Sequence, residues 1–154
     1  MKTTAMFALA LALVAGGTGA SAQSPGPGAP APLRIRYMVN DVSAAVGFYT
    51  DKLGFKLVLQ SGPYFAVLTR GDAQLLLSPV KGPGGASQPM PNGERPVPGG
   101  WNRMVLYVAD LQGEVDRLRK QGVHFRNDIV NGLGGKEILL DDPSGNSVEL
   151  FQPG

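Results

Sequence analysis

From Arg34 the chain alternates. In "RIRYMV" Ile35, Tyr37 and Val39 fall on one face and Arg34, Arg36 and Met38 on the other, a period of two that predicts a strand. The apolar spacing then changes: Val42, Val46, Tyr49 and Leu53 recur at steps of three and four, the signature of an amphipathic helix. Gly54 follows, where a left-handed residue ends a helix at least cost. Three further apolar runs, "FKLVLQ", "YFAVLTR" and "AQLLLSP", predict strands.

The same order recurs. "RIRYMVNDVSAAV" from Arg34 aligns with "RMVLYVADLQGEV" from Arg103, an offset of 103 − 34 = 69 residues. Both reach Val-x-Asp, at Val39 to Asp41 and at Val108 to Asp110, and both then turn helical, the second through Leu111, Val115 and Leu118 up to Gly122. The second half continues with the strand candidates "VHFRN", "KEILLD" and "SVELFQP", and "DDPSGN" forms a turn between the last two. "GLGG" at 132–135 resembles a phosphate loop, but it precedes a strand rather than a helix, so it lacks the helix N-terminus that phosphate binding needs.

Each half is therefore a β-α-β-β-β unit, and one such unit alone leaves a sheet face uncovered. Two must pair. The fold class is α+β, with one domain at 33–154 made of module one at 33–79 and module two at 101–153. The Pro/Gly-rich stretch 80–100 between them has the composition of a crossover, and its length suits either a lid or a plain linker.

Composition adds a location. Residues 1–22 combine Lys2, an apolar run from Ala5 to Val14 and a closing Ala-Ser-Ala, the pattern of a secretory signal peptide cleaved after Ala22. That run is too short to span a bilayer. The expectation is a periplasmic or secreted protein with no membrane association after cleavage. Residues 23–32, "QSPGPGAPAP", read as a flexible tether. Cleavage leaves 154 − 22 = 132 residues, and removing Lys2 from 14 basic side chains leaves 13 against 12 acidic ones. So small an excess excludes nucleic-acid binding through a basic surface. The absence of cysteine excludes disulfides, thiol catalysis and thiolate metal sites.

"FYTDKLGF" in the first unit and "DPSGNSVELFQP" in the second, together with the repeat, resemble the vicinal oxygen chelate superfamily of glyoxalase I, bleomycin-resistance proteins and extradiol dioxygenases. The resemblance spans Leu33 to Pro153. It implies a cupped eight-stranded fold and, as in many members, a homodimer. It also implies four cleft-facing metal positions, usually histidines on the first strand of each module and glutamates on the last. Aligned on that pattern, Arg34 and Arg103 replace the histidines, Leu75 replaces one glutamate, and Glu149 alone survives as a family-type ligand. Arginine stays protonated and offers no lone pair. His124, the one histidine, lies outside the four positions and reads as a surface residue. No cofactor is therefore expected, and a divalent metal is the alternative.

Strand alternation directs Arg34, Arg103 and Glu149 into the cleft, with Tyr107 and Phe151 beside them and Trp101 near the crossover. Two guanidiniums and one carboxylate suit capture of an anion, unless Glu149 bridges both arginines as a closed ion-pair cluster. The expected function is metal-independent binding of a small, anionic molecule in the cleft, as in bleomycin-resistance proteins. The alternative is a metal-dependent lyase or dioxygenase of the glyoxalase type, with Glu149 as ligand or base.

Overall fold

The computed structural model describes residues 33–154, which belong to one compact unit. The signal peptide at 1–22 and the tether at 23–32 lie outside the described residues.

Module one runs β1 (Arg34–Val39), α1 (Val42–Leu53), β2 (Lys56–Ser61), β3 (Phe65–Arg70) and β4 (Ala73–Pro79). Module two runs β5 (Met104–Tyr107), α2 (Leu111–Lys120), β6 (Val130–Gly132), β7 (Gly135–Asp141) and β8 (Ser147–Pro153). Each module folds into one four-stranded mixed sheet, in the orders β1-β4-β3-β2 and β5-β8-β7-β6. The first strand of each sheet pairs in parallel with the last, and the remaining pairs are antiparallel.

The two Val-x-Asp motifs start the helices. The Asp41 carboxylate accepts the Ala44 N–H at 2.9 Å and the Asp110 carboxylate accepts that of Gly113 at 3.0 Å, each supplying an acceptor that the first helical turn lacks. Gly54 ends α1 at φ 69°, a conformation that costs a side-chain-bearing residue more than glycine. Arg117, Arg119 and Lys120 lie at the C-terminal end of α2, where its dipole favours cations. α1 buries Val42, Ala45, Val46, Tyr49 and Leu53 against its sheet, and α2 buries Leu111, Val115 and Leu118.

The turn between β7 and β8 joins the modules. The Asp142 carboxylate, buried, accepts hydrogen bonds from the Ser144 and Asn146 amides, from the Asn146 side chain and from the Tyr49 hydroxyl of module one. Asn146 also donates to the Met38 carbonyl, and the Asn40 N–H donates to the Ser144 hydroxyl. Nearby, the Tyr37 hydroxyl accepts the Met104 N–H at 3.0 Å and donates to the Ser147 carbonyl at 2.9 Å. The "DPSGN" segment thus works mainly as an inter-module joint.

Two expectations need correction. "VHFRN" forms no strand: it touches β7 through one bridge, Phe125 to Leu140, because the Leu139 N–H bonds to the Asn127 side chain instead of continuing the ladder. Its place in the sheet is taken by β6, whose Val130 pairs with Glu137 around the "GLGG" turn. The pairing of Leu75 with Glu149 is also displaced by one residue. Arg36 stands opposite Leu76 and Val105 opposite Glu149, so the offset of 69 makes Leu76 the counterpart of Glu149, while Leu75 points into the helix-covered core.

Candidate functional site

A cleft of about 610 Å³ opens between module one and the free edge of β5. Its module-one wall is built from Ile35, Phe55, the β3–β4 hairpin at Arg70 to Ala73, Gln74 and Leu75. Arg103 to Tyr107 form the other wall. The hairpin is tight because Gly71 takes φ 58° between the paired residues Arg70 and Ala73. No residue of 80–100 lines the cleft. That crossover is pinned near both ends, by the Ser87 hydroxyl donating to the Pro79 carbonyl at 2.6 Å and by the Gly99 N–H donating to the Asn146 side chain at 2.8 Å.

Arg103 is the charged centre of the cleft. Its Nε donates to Glu149 Oε2 at 2.6 Å, and its Nη1 reaches the Trp101 carbonyl at 3.4 Å. Glu149 is only 6 % exposed, so it is a buried counter-ion held by a half-exposed guanidinium. Among the described residues, the other guanidinium donors of Arg103 have no protein partner, and Arg70 makes no ion pair or hydrogen bond through its side chain. Tyr107 lines the same wall and packs edge-to-face on Phe151, with centroids 5.4 Å apart.

Other expected residues lie elsewhere. Arg34 belongs to the other sheet, is exposed, forms no ion pair with Glu149 and does not line the cleft. Glu149 therefore does not bridge two arginines. Trp101 is 78 % exposed and contributes its carbonyl rather than its ring. His124, exposed, sits 3.2 Å from Asp141, which also accepts from Arg126 at 2.6 Å. Arg36 donates to Ser78 at 2.5 Å and lies over the Phe65 ring. Arg70 and Gln74 were not among the expected site residues, although alternation in "AQLLLSP" already sets Gln74 on the face opposite the core residues Leu75 and Leu77.

A βαβββ repeat whose halves pair first strand to last in parallel, with a cleft between them, matches known proteins throughout. The chain belongs to the glyoxalase/bleomycin resistance protein/dioxygenase superfamily. The family model of that description matches residues 32–150. A relative, the uncharacterized protein YurT of Bacillus subtilis (strain 168), is 31% identical over 122 residues, covering 74% of this chain and 92% of its own. Two solved structures share the fold. TnmS3, an antibiotic binding protein from Streptomyces sp. CB03234, superposes with a TM-score of 0.63 at 24% identity, over 84% of this chain and all (100%) of its own. Lactoylglutathione lyase from Agrobacterium tumefaciens gives a TM-score of 0.62 at 23% identity, over 82% of this chain and 95% of its own.

The superfamily's divalent metal does not fit the residues present. Glu149 is engaged by Arg103, the other three ligand positions carry arginine or leucine, and among the described residues no group of three His, Cys, Asp or Glu side chains converges.

Proposed function

We propose that this superfamily member is an exported protein that binds a small anionic molecule with an apolar body, without a metal. One observation carries the reading: Arg103 is anchored by Glu149 yet keeps unpartnered guanidinium donors at a cleft whose walls are otherwise largely apolar, with Arg70 adding a second cation. Two arginines against one carboxylate leave a net positive site, and guanidinium forks pair bidentately with carboxylates. Apolar walls with a few polar groups are the usual make-up of small-molecule sites.

The test is calorimetric titration with 3-phenylpropanoate and its uncharged amide. The acid should bind at least about tenfold more tightly, and Arg70→Gln should remove most of that preference. Equal affinity for acid and amide sinks the proposal. A stoichiometric divalent ion in native mass spectra of the purified protein overturns its metal-independent part.

The export reading rests on the apolar run and Ala-Ser-Ala of residues 5–22, and the N-terminal sequence of the periplasmic protein, expected to start at Gln23, checks it. A homodimer is supported by Leu57, Val58 and Leu59, all exposed on the edge strand β2, a surface that a second copy would cover. Sedimentation analysis should return twice the chain mass.

A further inference from the structure

We infer that Gln74 is the specificity-determining residue of the cleft, and that the ligand carries an N–H or O–H donor in addition to its acid group. This rests on the anion-binding reading above and extends it.

Gln74 Oε1 is buried and, among the described residues, has no hydrogen-bond partner. An unpaired buried amide oxygen opposes folding, because it loses water and gains nothing in return. Leu75, Leu76 and Leu77 follow directly in β4, so an apolar side chain at position 74 would continue the strand without that penalty. The main chain does not need the carboxamide: the Gln74 N–H donates to the Leu33 carbonyl, and β4 is paired at this residue with Arg34 of β1 and Thr69 of β3. Only the side chain remains to be satisfied, and Gln74 is one of the residues that line the cleft.

The terminal torsion of a glutamine is broad and roughly two-fold, so the amide turns toward the cleft without moving the strand. There its oxygen accepts a donor from a bound molecule. Gln74 stands on the module-one wall and Arg103 on the module-two wall, so a ligand spanning the cleft meets an acceptor at one side and a guanidinium at the other. Ile35, Phe55 and Met104 supply apolar surface for its body. A site that hydrogen-bonds an N–H also rejects the analogue that lacks it, since the protein group is then left unpaired again.

The probes are N-acetylphenylalanine and O-acetyl-3-phenyllactate, which differ only in an N–H replaced by an ester oxygen. Titrated calorimetrically, the wild-type protein should bind the amide about tenfold more tightly than the ester. Gln74→Leu should bind both alike, at the affinity of the wild type for the ester, and should melt at a higher temperature than the wild type because the unpaired oxygen is gone. Equal wild-type affinities overturn the role of Gln74, as does a preference that survives in Gln74→Leu. If both probes bind equally and Arg70→Gln still weakens them, only this inference falls. If neither binds at millimolar concentration, it falls together with the anion-binding reading.

Discussion

The Tyr49 hydroxyl of α1 donates to the Asp142 carboxylate of the β7–β8 turn at 3.0 Å, linking the helix of one module to the turn of the other. Both groups are buried, and Asp142 has three further donors from its own turn. Tyr49→Phe removes one donor and leaves the ring packing on Phe48 and Phe55 in place. We expect a loss of about 1–3 kcal/mol in urea unfolding, with the m-value unchanged.

Burial, reinforced by the negative charge of Asp142, raises the Tyr49 hydroxyl far above its ordinary value of 10.0. Burial also raises Tyr37, partly offset by the Met104 N–H. A folded pKa above the unfolded one leaves stability intact below about pH 10. Above it, the unfolded chain releases protons that the folded chain retains, and stability falls by up to roughly 1.4 kcal/mol per pH unit for Tyr49, with a further decline in the same direction from Tyr37. Unfolding measured between pH 9 and 11 should show this decline, and Tyr49→Phe should make it shallower.

Arg103→Met strands Glu149 as a buried carboxylate without its counter-ion. The expected cost is about 2–4 kcal/mol, tempered by the partial exposure of Arg103. Adding Glu149→Leu should restore most of it, since the pair is stabilising chiefly relative to its broken halves. Thermal unfolding of the two single variants and the double variant checks this. A double variant no more stable than Arg103→Met would show that Glu149 is compensated elsewhere.

Gly135 opens β7 at φ 153°, and a Cβ there would lie 2.0 Å from the Gln152 carbonyl oxygen. The obstacle is main chain of β8 and cannot rotate away. Gly135→Ala should cost at least about 2 kcal/mol and speed hydrogen exchange along the β7–β8 ladder. Gly122→Ala, also at positive φ but with open space around its Cβ, should cost about 1 kcal/mol.

Local order was legible because it is local. Alternation in Arg34 to Val39, helical spacing in Val42 to Leu53 and Asp41 and Gly54 at the helix ends reflect which faces are buried and which backbone groups lack partners, and these depend on near neighbours. The offset of 69 then repeats the pattern of each element and marks two modules. "VHFRN" misled because its strand-like pattern does not register that the Asn127 side chain takes the Leu139 N–H.

The chain by itself determined that two βαβββ units form the domain, that Glu149 lacks the usual ligand partners, and that Arg103 and Tyr107 face a cleft. Tertiary structure alone decided the pairings beside it. Glu149 meets Arg103 and not Arg34, because Arg34 lies in the sheet of module one and Arg103 directly precedes β5 of module two, and the modules join through Tyr37, Tyr49 and Asp142 rather than through a shared ion-pair cluster. Arg70 and Gln74 enter the site because the β3–β4 hairpin approaches β5, a contact between segments about thirty residues apart in sequence that no local periodicity encodes.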